Sequence, residues 1–266
     1  MYKLIIALLM GVQILYSQSP SEIVEQSLKN IRYSKFDKEV IETAKRDPEF
    51  YTLKEGVKVK IKEVVEEDIK LPDSTKVPNK GIDNTLVTIE KIVNIASKFW
   101  DMIVDNKPVV NLDTKYAVAL PMGVSSPSEL DGWSKPKSYI VSFYFENLYG
   151  IDVISVSYKI TYVYGGKYKG KGKYLAAVWA IPQSVDVWWG FRFSMQAYVP
   201  DSTIVNVGTA KDPVAAMQLK VSWSASSVLK EYDGTAVYYI QGDGYFEEIA
   251  SPFRTIRTNL ENIKLD

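Results

Sequence analysis

From Ile154 to Tyr164 every second residue is aliphatic or aromatic (Ile154, Val156, Tyr158, Ile160, Tyr162, Tyr164), and Ser155, Ser157, Lys159 and Thr161 fill most places between them. Successive side chains of a strand point to opposite faces, so the period of two makes this a long strand with one dry and one wet face. Gly165-Gly166 supplies the positive φ angles of a tight turn, and Leu175 to Ile181 reads as the returning strand. A hairpin of this length needs partners for its dry face, which commits the chain to a β-rich fold.

The rest of the second half repeats the pattern. Tyr139, Val141, Phe143 and Phe145 alternate with polar neighbours; so do Phe191, Phe193, Met195, Ala197 and Val199, set against Arg192, Ser194, Gln196 and Tyr198. Met217, Leu219, Val221, Trp223 and Ala225 form another such strand, Ala236 to Ile240 the last, and Gly242-Asp243-Gly244 turns it. Many alternating segments separated by Gly, Pro and Asp turns predict a mostly β domain, an antiparallel β-sandwich or a barrel-like closure.

The first third differs. Lys3, the apolar run from Leu4 to Leu15 and the small residues at Ser17 and Ser19 have the layout of a secretory signal peptide, with cleavage after Ser17 ahead of Ser19. The apolar run is below the roughly 20 residues that span a bilayer. Residues 18–80 form a charged α+β region. Phe36 to Lys45 has helical spacing that stops at Asp47-Pro48, and Val57, Val59 and Ile61 alternate with Lys58, Lys60 and Lys62 as an edge strand would. The acidic group Glu63, Glu66, Glu67 and Asp68 beside that lysine run reads as a solvated face, so no metal is assigned. The turn-rich stretch from Leu71 to Gly81 places a boundary near Gly81. Beyond it, Leu86, Ile89, Val93, Ala96, Trp100 and Ile103 fall at three- and four-residue steps and predict a packed helix from Thr85 to Val104. The sandwich then extends over 81–250, and 251–266 is a tail.

Composition excludes whole classes of chemistry. The 266 residues contain no cysteine and no histidine, which removes thiol catalysis, disulfides, thiolate metal sites, a bacterial lipoprotein anchor, the usual proton shuttle and the commonest transition-metal ligand. No cofactor is expected. Basic and acidic residues balance at 32 each, so the electrostatic footprint of a nucleic-acid binder is missing. No phosphate loop, dinucleotide fingerprint or calcium loop of the EF-hand type occurs.

What remains for function is aromatic density, carboxylates and one lysine cluster. Trp188 and Trp189 are adjacent, so on a strand they face opposite ways; with Gly190 unbulged, Trp189 shares the core parity of Phe191 and Phe193, and Trp188 shares the wet face of Asp186 and Arg192. Trp133, Trp188, Tyr198, Asp186 and Arg192 are the candidate binding residues, because an exposed flat ring is a platform for a sugar or a peptide. Asp152, Asp186, Glu146, Asp243 and Glu247 are the carboxylates available to a hydrolase, with no spacing that selects a pair and hence no catalytic assignment. Lys167, Lys169, Lys171 and Lys173, interleaved with Gly and Tyr168, could contact an anionic or membrane surface; a hairpin tip protected from edge aggregation is the plainer use. The first reading is a secreted, non-catalytic binding protein presenting loops and aromatics to a glycan or protein partner. The alternatives are a pore-forming protein that inserts its amphipathic hairpin, whose strands exceed the 9–11 residues a barrel strand needs, and a carboxylate-dependent glycan hydrolase.

Overall fold

The structure is a computed structural model that describes residues 36–65, 86–109 and 115–251. One helix, α1 (Lys38–Arg46), precedes thirteen strands: β1 (Lys58–Val65), β2 (Thr88–Val93), β3 (Phe99–Val104), β4 (Lys107–Pro108), β5 (Ala117–Met122), β6 (Lys137–Glu146), β7 (Asp152–Tyr168), β8 (Lys171–Val187), β9 (Phe191–Tyr198), β10 (Val205–Asn206), β11 (Ala215–Ser227), β12 (Glu231–Gln241) and β13 (Phe246–Ala250). They form two antiparallel sheets. The first has the order β1-β6-β7-β8-β5-β2; the second has β13-β12-β11-β9-β3-β4, with β10 paired to β11. The sequence expectation of a mostly β, antiparallel sandwich is met. The signal segment, the tail beyond Ser251, and the boundary expected near Gly81 with the acidic residues Glu66, Glu67 and Asp68 lie outside the described residues.

The long alternating strand sits at the centre of the first sheet. β7 pairs with β6 on one side and β8 on the other, and Ile154, Val156, Tyr158, Ile160 and Tyr162 are all buried against the second sheet. The strands run further than the sequence suggested. Gly165 and Gly166 do not turn the chain; they stay within β7 as register shifts, and the hairpin closes at Lys169-Gly170, where Tyr168 pairs with Lys171. Close approach explains Gly166, since a Cβ there would meet the Trp133 ring at 2.3 Å.

The charged first third contributes as read from sequence. α1 ends at Asp47-Pro48 and buries Val40 and Ala44. β1 lies at the sheet edge against β6, with Lys58, Lys60 and Lys62 exposed, and lysines on an edge discourage pairing with a second chain.

The helix expected from Thr85 to Val104 is not formed. This segment is instead two strands in different sheets: β2 pairs with β5 in the first, and β3 pairs with β9 in the second. Val87, Thr88, Ile89, Ile92 and Val93 are β-branched and favour strand. Asn94 then breaks the run. Its Oδ1 accepts from the N–H groups of Ala96 (3.1 Å) and Val118 (3.0 Å), and its Nδ2 donates to the Ser97 carbonyl (3.3 Å), which turns the chain across the sandwich. The three- and four-residue spacing of apolar residues was coincidental: Leu86, on the supposed packed stripe, is 89% exposed.

The core lies between the sheets. Phe143 and Phe145 from β6 meet Phe193 from β9 and Trp223 from β11, with centroids 5.5 Å apart for Phe143–Phe193 and 5.2 Å for Phe145–Trp223. Ring pairs at such separations add stability beyond their buried area. Several of the large polar side chains in this core find partners across the gap. The Tyr158 and Tyr238 hydroxyls bond each other at 2.5 Å, the Tyr162 hydroxyl donates to the Gly244 carbonyl (2.9 Å), and the Trp100 indole donates to the Ala180 carbonyl (3.2 Å). β9 and β11 depart from simple alternation: Ser194, Gln196, Tyr198, Ser222 and Ser224 are buried as well as their core-facing neighbours.

Burial pushes the Tyr158, Tyr162, Tyr174 and Tyr238 phenols well above the ordinary value of 10.0. Above about pH 10 the unfolded chain therefore releases protons that the folded chain keeps, and stability falls as pH rises. Absorbance titration at the tyrosinate band should show these phenols ionising only with cooperative unfolding; free titration near pH 10 of all tyrosines in the folded chain would contradict it. Tyr158→Phe and Tyr238→Phe should each cost about 1–3 kcal/mol, because each strands a buried hydroxyl, whereas the double variant should cost less than their sum. Denaturant unfolding of the three variants measures this.

Candidate functional site

At the end of the sandwich where β6 turns into β7 and β8 passes into β9, these two turns bring large apolar side chains to the surface above the segment after α1. The β6–β7 turn carries Leu148 and Tyr149, each 53% exposed, and Ile151 beside them; the β8–β9 turn carries Trp188 and Trp189, 43% and 54% exposed. Each turn is anchored by hydrogen bonds at its base. The Trp188 amide donates to the Val153 carbonyl (2.9 Å), directly after Ile151 and Asp152, and the Ile151 amide donates to the Asn147 side chain (3.0 Å).

The segment from Asp47 to Lys54 runs underneath and holds the rings in place. The Leu148 amide bonds the Thr52 carbonyl (3.1 Å), the Lys54 amide bonds the Glu146 carbonyl (2.8 Å), and Leu53 bridges Asn147. Phe50 lies 6.2 Å from Trp188, and Tyr51 6.2 Å from Trp189, while Tyr51 stacks on Phe191 at 5.8 Å. The Asp47 carboxylate accepts from the Phe50 amide (3.2 Å) and the Tyr149 hydroxyl (2.8 Å), and this bond to a carboxylate is the main reason the Tyr149 phenol is pushed up.

Gly190 allows the arrangement. Its φ is +86°, and a Cβ there would lie 2.3 Å from Tyr51 Cε1 and 3.4 Å from Val40 Cγ1. Only glycine lets the β8–β9 turn sit directly on the Tyr51 ring and α1.

The parity expected for the tryptophans is therefore overturned. Trp189 is not a core residue, because β8 stops at Val187 and β9 starts at Phe191, and the residues between carry the chain from one sheet to the other. Alternation has no meaning across such a crossing. For the same reason Asp186 and Arg192 do not share a face: Asp186 pairs with Ser155 on the outside of the first sheet, whereas Arg192 belongs to the second and sets its guanidinium 4.5 Å over the Phe36 ring. Asp186 is exposed and Arg192 half-buried.

Two other candidates lie elsewhere. Tyr198 is 6% exposed, buried near the far end of β9 with the Lys220 ammonium 5.8 Å over its ring, which leaves no open platform. Trp133 is half-buried against Gly166, its indole donating to the Pro127 carbonyl (3.3 Å), at the opposite end from Trp188. Lys167, Lys169, Lys171 and Lys173 are exposed at that opposite end. Sequence reasoning missed Phe50, Tyr51, Leu148 and Tyr149. The signal available was Asn147-Leu148-Tyr149-Gly150, a turn with two large apolar residues where turns ordinarily hold polar ones.

The candidate carboxylates are split between the aromatic end and the β12–β13 turn. Hydrogen bonding from Lys58, with Lys54 3.7 Å away, holds the Glu146 carboxyl below its ordinary range, the opposite of what a proton donor needs. Asp152 pairs in register with Glu146 at the aromatic end, whereas Asp243 and Glu247 serve the β12–β13 turn, accepting from the Tyr245 amide (3.0 Å) and hydroxyl (2.7 Å). Among the described residues no three acidic side chains gather where they could hold a metal ion. No protein family model, curated protein or solved structure matches the chain.

Half-exposed indoles contribute less to folding than enclosed ones. Trp188→Ala and Trp189→Ala should each cost about 1–2 kcal/mol by lost apolar area, against about 3–5 kcal/mol for Trp100→Ala in the core. Gly190→Ala should cost about 1–3 kcal/mol from its backbone conformation, and more if Tyr51 cannot yield. Thermal unfolding of the four variants ranks them; a core-sized loss for Trp189→Ala would restore the buried assignment.

Proposed function

We propose that this is a secreted, non-catalytic binding protein that holds a glycan on the aromatic end of its sandwich. The observation that supports this reading most directly is the convergence of Trp188, Trp189 and Tyr149 on two backbone-locked turns, exposed although each is large enough to anchor a core. Flat rings stack on the apolar faces of sugars, and the exposed Asp186 and Asp152 beside them can accept from sugar hydroxyls. Loops on a rigid sandwich are the usual place for binding on such folds.

The rival readings draw less support. Inserting the β7–β8 hairpin in a membrane would strip the ladders to β6 and β5 and expose the buried dry face. A hydrolase would need a protonated carboxyl, and Glu146 is held ionised by its lysines. Export rests on Lys3, the apolar run and Ser17. Mass spectrometry of exported protein should find an N-terminus near Gln18, and a retained Met1 would refute it.

Calorimetric titration against a panel of soluble polysaccharides tests the binding reading. A ligand should be found, and Trp188→Ala and Trp189→Ala should each weaken it about tenfold, the size of one interface aromatic, without loss of fold. Absence of glycan binding together with capture of a defined protein partner by the same face would replace the glycan with that partner; affinity unchanged in both variants would remove the site.

A further inference from the structure

The opposite end of the molecule carries a second feature that glycan binding does not use. There the β7–β8 hairpin ends in Lys167, Lys169, Lys171 and Lys173, all exposed, with the half-buried Tyr168 among them and the Lys169 ammonium 5.3 Å over its ring. Among the described residues none of the four lysines forms an ion pair. The hairpin beneath them is braced on both sides. Lys167 and Asp131 exchange backbone hydrogen bonds (2.8 and 3.0 Å), the Lys173 amide donates to the Pro213 carbonyl (2.9 Å), and the Gly172 amide donates to the Asp212 carboxylate (2.9 Å). The nearby carboxylate of Asp212 is thus engaged with backbone, and Asp131 meets the hairpin through its main chain.

The apex itself breaks a local rule. The hairpin closes at Lys169-Gly170 with φ of +50° and +76°, a two-residue turn whose first position favours Asn, Asp or Gly. A lysine in the left-handed region is strained, because its Cβ crowds the backbone. Edge protection does not call for it, since lysines on the flanking strand positions would serve that purpose unstrained. A strained side chain held at the tip of a braced projection is an outlier that points to use.

We infer that this tip is a contact for an anionic lipid surface. The chemistry matches: several exposed ammonium groups for headgroup phosphates, and a tyrosine whose amphipathic ring suits the interface. The braced hairpin presents them as a rigid prong. β7 has 17 residues, so a tip resting on a bilayer holds the aromatic end about 50 Å away, facing outward. The inference stands independently of what the aromatic end binds.

Co-sedimentation of the full chain with vesicles tests it, using phosphatidylcholine alone and equal parts of phosphatidylcholine and phosphatidylglycerol. Binding is expected to the mixed vesicles only, and to fall steeply with added salt. Lys169→Gly should leave the melting temperature equal or higher, by relieving the turn, and weaken partitioning about fivefold, the share of one cation near an anionic leaflet. Lys169→Arg should keep it. Replacement of all four lysines by glutamine should abolish it. Equal binding to neutral vesicles, or Lys169→Gly binding as the parent does, overturns the inference. Retention on heparin without vesicle binding overturns it in favour of a soluble polyanion.

Discussion

Everything in this sandwich depends on keeping one face of β7 dry. Ile154, Val156, Tyr158, Ile160 and Tyr162 are buried along a strand hydrogen-bonded on both sides, so the face can be covered only by a second sheet. Tyr238 of β12 and Phe246 of β13 meet the β7 tyrosines, while Phe193 and Trp223 cover the neighbouring β6. The demand is larger than apolar area alone. Two of the five residues are tyrosines, and a buried hydroxyl without a partner costs about 1–3 kcal/mol. The facing sheet must therefore sit in the one register that places Tyr238 against Tyr158 and the Gly244 carbonyl against Tyr162.

These polar bonds give the interface between sheets a direction that greasy contact lacks. Apolar side chains tolerate sliding by a residue pair, whereas a hydroxyl bond does not survive it. The Trp100 indole on the Ala180 carbonyl pins the other flank of the sandwich in the same way, and it belongs to β3, the strand reached after the chain crosses between sheets at Asn94. The crossing and the pin belong together. Asn94 turns the chain, and Trp100 fixes where the next strand lands.

The sequence was legible where a rule of period two operates without interruption and both neighbours of a strand are strands. β6, β7, β9 and β11 were all readable in that way; β1 was readable as an edge from its lysines, and α1 from its stop at Pro48. The segment from Leu86 to Val104 was misread because two short strands with a break between them happen to place apolar residues at three- and four-residue steps. Helical periodicity and β-branched propensity pointed in opposite directions there, and propensity carried the correct answer. The Trp189 assignment failed for a different reason: parity was carried through Gly190 although the chain changes sheets there.

The same crossing explains why the candidate site was half visible. Adjacent tryptophans are visible in the sequence, but Phe50 and Tyr51 reach them from a segment more than a hundred residues earlier in the chain, and Tyr149 is tied to that segment through Asp47, contacts no local pattern encodes. A regular strand gives every side chain an address, and a chain crossing between sheets gives none. Two indoles can stay exposed at such a crossing because no facing strand is obliged to cover them, and Gly190 then presses the turn onto Tyr51 so that the exposed rings rest on a fixed floor. The lysine at the left-handed apex of the β7–β8 hairpin is the parallel case at the other end, a side chain placed against its local preference on a rigid support. In both places the strands specify position, and the residues that depart from strand rules are the ones left free to meet something else.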